Sequence, residues 1–219
     1  MLVGFSKHLT EATCEVRELP TSQVNAFMIY KNASSSLRDE SKYQNGRVWH
    51  NSELISLDRI DIFFRDPTTR YYAGIATYVD HLLKKNPDLD ITTILHFVNN
   101  YRFLNLHFAP QILWLINLGK WIDLDRTILH FHSVNEAQTL TKFRSEPTPD
   151  LINDIKKLIR HDNDLKLWLY IDQELMSLIT LTYSYRNLIR WFQSKPNIWA
   201  NVFVPNLKLC LPYYGMPKT

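Results

Sequence analysis

The chain has 219 residues, 45% of them hydrophobic and 21% charged, which suits one folded domain and excludes the polar, charge-rich composition of disorder. A formal net charge of +3 falls short of the clustered basic excess that marks a dedicated nucleic-acid binder. The two cysteines, Cys14 and Cys210, exclude a disulfide framework and fit a reducing, cytoplasmic setting.

Aromatic residues reach 13% while Gly numbers only 5, so the chain has large side chains to bury and few permissive backbone positions, which favours helices. The apolar stretch at the amino terminus breaks at Ser6, too short for a standard secretory signal. Residues 13–30 have strand character around Val16 and the apolar run ending at Tyr30, 31–46 read as an exposed polar loop, and 47–64 add another extended piece.

From residue 66 the punctuation turns helical. Asp66 and Pro67 open a helix whose apolar stripe of Tyr72, Ile75, Val79, Leu82 and Leu83 ends at Asn86-Pro87. Asp90 caps a second, with Ile91, Ile94, Leu95, Val98 and Tyr101 on its inner side, and Pro110 begins a third that Gly119 can end. Residues 103–119 lack Asp, Glu, Lys and Arg, but they contain Asn105, His107, Gln111 and Asn117 and fall short of the ~20 apolar residues of a membrane span. A buried core element is expected there, and no membrane span. Asp125 caps a short helix through Phe131, and Ser133 with Glu136 matches a capping box. Thr148-Pro149-Asp150 starts a helix through Ile159, and a long helix runs from Asp164 to Gln193, stopped by Pro196. Leu207, Leu209 and Leu211 alternate with Lys208 and Cys210 as a final strand.

The expected fold is therefore mainly α: an irregular helical bundle with a few short strands from the N- and C-terminal segments. Stacked helical hairpins are the alternative, because Pro67, Pro110 and Pro149 recur at roughly 40-residue spacing. An extended segment, 1–65, packs on a helical core, 66–195, and an extended tail, 196–219, completes one domain.

Few residues select a chemistry. On a strand His130 and His132 would point to one side, as a metal site requires; on the helix expected there they lie roughly 200° apart. With Asp123 and Asp125 just upstream they form a candidate site for a metal-dependent hydrolase. His8-Leu9-Thr10 and His50-Asn51-Ser52 have the His-x-Thr/Ser form of two-histidine phosphoesterases, but both histidines read as surface residues. No Gly-x-Ser-x-Gly elbow accompanies either cysteine, the glycines are isolated, and phosphate-cradling loops are excluded, so no cofactor is expected. Lys156, Lys157 and Arg160, and Arg186 with Arg190 among Tyr183, Tyr185 and Trp191, read as solvated helix faces ahead of a nucleic-acid interface. Trp199, Phe203, Tyr213 and Tyr214 sit in a proline-punctuated tail that must dock on the chain's own helices or on a partner.

The leading expectation is a non-enzymatic protein-binding protein (adaptor, assembly subunit or inhibitor) that meets another protein through Trp199, Phe203, Tyr213, Tyr214, Arg186 and Arg190. The alternatives are the metal-dependent hydrolase and a nucleic-acid-binding protein that uses its basic helix faces.

Overall fold

The structure, a computed structural model, describes residues 13–101, 105–134, 153–154, 157 and 163–196. It is an α/β fold organised around a six-stranded mixed sheet, which overturns the expected mainly α bundle and its stacked-hairpin variant. The strands are β1 (Glu15–Leu19), β2 (Val24–Phe27), β3 (Val48–His50), β4 (Arg59–Phe64), β5 (Ile128–Ser133) and β6 (Thr182–Ser184), in the spatial order β3-β1-β2-β4-β5-β6. β2, β4 and β5 run parallel to one another; β1 pairs antiparallel with β2 and β3, and β6 antiparallel with β5.

The helices are α1 (Ser34–Tyr43), α2 (Pro67–Lys85), α3 (Ile91–Tyr101), α4 (Gln111–Leu118), α5 (Asn163–Leu175) and α6 (Tyr185–Gln193). α2 opens as its sequence implies, with the Asp66 side chain accepting the Thr69 N–H at 2.8 Å. Three expectations fail locally. The stretch expected as a polar loop holds α1, whose one inward stripe, Ser34, Leu37 and Ser41, is enough to seat it on the sheet. The helix expected through Phe131 is β5, where Leu129 and Phe131 are buried and the alternating His130 and His132 face the other way. The long helix expected over 164–193 is broken after Leu175, and Thr182–Ser184 leaves it to extend the sheet.

One sheet face carries Val16, Phe27, Ile60, Ile62, Phe64, Leu129 and Phe131 and packs on α4, α5 and α6 through Trp114, Leu115, Ile171, Leu175, Leu188 and Phe192. Every residue of α4 is buried, as its charge-free sequence implied. The opposite face carries Leu19, Ala26, Met28 and Phe63 under Leu37 of α1. α2 and α3 form a second cluster with Phe108. No helix among the described residues is long and apolar enough to cross a membrane.

The start of α4 is held by a distant carboxylate. Pro110 has no side-chain cap to offer, so the buried Asp172 of α5 accepts the N–H groups of Gln111 at 2.6 Å and Ile112 at 3.0 Å. Buried Arg70 donates to the Ala109 carbonyl at 2.6 Å in the preceding turn. Burial lifts the Asp172 carboxyl to about 6 and lowers the Arg70 guanidinium to about 10; both shifts record the same desolvation, which outweighs the attraction between the two charges.

Candidate metal centre

β4 and β5 lie in a register that sets Asp61 opposite His130 and Phe63 opposite His132. Alternation along the two strands then brings Arg59, Asp61 and Phe63 to the same face as His130 and His132, the face partly covered by α1.

Asp61 is fully buried, and its oxygens take different partners. Oδ2 accepts the Asn25 N–H at 3.1 Å. Oδ1 accepts from Arg59 Nη2 at 2.7 Å and Nε at 3.2 Å, lies 2.8 Å from His132 Nε2, and stands 3.4 Å from His130 Nδ1. Burial alone would raise the Asp61 carboxyl, but hydrogen bonds from His132, Arg59 and the Asn25 N–H outweigh it and hold the group below the usual aspartate range. Asp61 is thus an ionised acceptor, and His132 donates to it. Arg59 Nη2 also lies 2.7 Å from His130 Nδ1. A guanidinium can only donate, so Nδ1 of His130 accepts and that imidazole is neutral. Desolvation first, then neighbouring His132 and Arg59, lowers the His130 pKa below the ordinary histidine value.

The rings are held as well as the charges. His132 stacks on Phe63 with centroids 4.9 Å apart, and the two imidazole centroids are separated by 4.2 Å. One oxygen of Asp61 and one nitrogen from each histidine all fall within 4.8 Å of one another, and both imidazoles reach solvent with 29% and 17% of their side chains exposed. Two imidazoles beside an ionised carboxylate are a donor set suited to Zn²⁺ and its first-row neighbours.

The structure brings His130 and His132 together, but beside Asp61 and not beside Asp123 or Asp125. Asp123 is spent locally: its Oδ1 accepts the N–H groups of Asp125 at 3.0 Å and Arg126 at 2.9 Å. Asp125 pairs with Arg186, whose Nη2 donates to Oδ2 at 2.8 Å. Asp61 was missed because nothing local marks it; its one signal is a lone acid in the alternating, otherwise apolar run from Ile60 to Phe64.

Of the residues expected to meet a partner, Arg186 is held by Asp125, and Arg190 donates to Asn187 Oδ1 at 3.2 Å within α6. Trp199, Phe203, Tyr213 and Tyr214 lie outside the described residues, as do His8, Lys156, Arg160 and Cys210. Lys157 pairs with Asp154 at 3.1 Å. Cys14 is buried, with Asn117 Nδ2 at 3.2 Å from its sulfur. No protein family, curated protein or solved structure matches the chain at a significant level.

Proposed function

We propose that this chain is a metal-dependent hydrolase whose divalent ion is held by Asp61, His130 and His132. The observation that carries the reading is the convergence of three ligand atoms of the right chemistry within 4.8 Å, on two adjacent strands and open to solvent at the imidazoles. Structural zinc sites close the metal with four protein ligands, whereas three ligands and an open side leave a coordination position for water. When bound, the ion would lower the pKa of that water and supply a hydroxide nucleophile near neutral pH. The chain's part is to fix the ligands: the β4–β5 register sets the Asp61–His130 spacing, and Phe63 holds the His132 ring.

The reading is tested by stripping the protein with a chelator and titrating Co²⁺, whose visible spectrum reports ligand number and type. Uptake of about one equivalent per chain with a low-coordinate spectrum is expected, lost in the His130→Ala/His132→Ala double variant at unchanged circular dichroism. Equal, weak uptake by both proteins removes the metal site. Loaded protein that hydrolyses none of a panel of carboxylic and phosphate esters removes the hydrolase assignment and leaves the site.

A further inference from the structure

Arg59 is in an unusual place for a residue beside a metal centre. Its Nη2 donates to Asp61 Oδ1 and approaches His130 Nδ1, both at 2.7 Å, so the guanidinium spends its charge on two of the three residues that would hold the ion. The single lone pair of His130 Nδ1 cannot serve a guanidinium and a divalent cation at once, and the two cations repel each other beside Asp61. The Arg59 side chain is 48% exposed and its neighbour across the ladder, Ile128, is 39% exposed, so the head has open solvent to turn into. Its backbone is fixed two residues from Asp61 on the same strand face, which keeps the displaced guanidinium beside the ion.

We infer that Arg59 takes the cation's place in the metal-free site and recognises a phosphate ester beside the ion in the loaded one. The inference rests on the metal-centre reading and names its substrate class. With the ion bound, a divalent charge and a guanidinium face a single carboxylate, and such a surplus selects an anion. An Arg fork matches two oxygens of a tetrahedral oxyanion, and a guanidinium with a metal ion is a recurrent clamp on phosphoryl oxygens. Thr182, paired with His130 in the β5–β6 ladder and exposed, adds a hydroxyl on the same side. In the reaction a water oxygen bonds to phosphorus as the ester P–O bond breaks. One proton leaves the water, the departing alcohol gains one, and nothing is oxidised or reduced.

The test measures Co²⁺ affinity, and then inorganic phosphate affinity of the Co²⁺-loaded protein, for the wild type, Arg59→Ala and Arg59→Lys. Arg59→Ala should bind Co²⁺ at least about threefold tighter, because the competing cation is gone, and phosphate about tenfold weaker, with Arg59→Lys between the two. Co²⁺ binding no tighter in Arg59→Ala, or phosphate binding that ignores the side chain, overturns the inference while leaving the metal centre. Failure of the wild type to take up Co²⁺ removes the centre and this inference with it. Competition by p-nitrophenyl phosphate and bis(p-nitrophenyl) phosphate distinguishes a monoester from a diester as the source of the phosphate.

Discussion

Asp61 and His130 stand opposite one another on parallel strands, with Oδ1 and Nδ1 3.4 Å apart, although α2, α3 and α4 separate them in the chain. The buried carboxylate therefore has a structural duty even without a metal: it collects the Asn25 N–H, the His132 ring and the Arg59 guanidinium. Asp61→Ala should cost about 1–3 kcal/mol in urea unfolding of the chelated protein, chiefly by leaving the Asn25 N–H without its acceptor. Asp61→Asn should cost less, since an amide oxygen still accepts, yet it should weaken Co²⁺ binding by tenfold or more in order-of-magnitude terms, because the charge is lost. Equal stability for Asp61→Ala and wild type would show that these bonds merely replace water.

Gly74 sits in the middle of α2, where alanine is ordinarily the better helix former by about 0.5–1 kcal/mol. Here a Cβ would lie 2.2 Å from the His107 carbonyl oxygen and 2.7 Å from the Phe108 Cβ, and the nearer atom is backbone. Gly74→Ala should therefore reverse the usual sign and destabilise by about 1–3 kcal/mol, read as a lower Tm. A rise in Tm would mean that the 105–108 turn moves away from α2 freely.

Arg186 and Asp125 offer the opposite case. Both are more than half exposed, so their ion pair is screened by water despite its geometry. Arg186→Ala should leave stability close to that of the wild type, and 1 M salt should remove any difference. A larger loss that survives salt would show that the arginine stem packs on Leu124, whose carbonyl its N–H already contacts.

What the sequence shows clearly is what depends on near neighbours. Asp66 and Pro67 announce α2, and the charge-free stretch announces the buried α4. The His130 and His132 pair is also visible, but its meaning turns on the conformation of residues 128–133. Asp125 followed by a mixed apolar run resembles a helix start, while the deciding contact, pairing of β5 with β4 in register, is made with a segment far away in the chain. Once a strand is adopted, the side chains that would diverge on a helix share a face. Asp61 joins them through that same non-local pairing. The β6 strand was concealed for a related reason: three residues between two helical segments carry too short a pattern to stand out, and their place at the sheet edge is set by β5.

Asp172 and His107 both feel the charge of Arg70, and burial moves them in opposite directions. Asp172 is pushed up to about 6 by desolvation, against Arg70 and the N–H groups of Gln111 and Ile112 that favour its charge. His107 is pushed down to about 4, by desolvation first and then by Lys31, His81 and Arg70; its ring packs between Tyr30 and His81. A raised carboxyl binds its proton more tightly in the folded state, so its contribution to stability is full below the unfolded value of 3.8 and is lost as pH rises through 6. A depressed histidine does the reverse: its contribution is full above the unfolded value of 6.5 and is lost as pH falls through 4. Between pH 4 and 6 the two trends oppose each other and flatten the wild-type profile. Relative to wild type, His107→Gln should become more stable as pH falls from 7 to 4, by roughly 2–3 kcal/mol across the window. Asp172→Asn should show the opposite slope, gaining on the wild type as pH rises from 4 to 6, whatever constant penalty it carries for a weakened cap on α4. Urea unfolding at four pH values decides the matter. A difference curve that is flat for either variant means that the group in question titrates alike in the folded and unfolded chain.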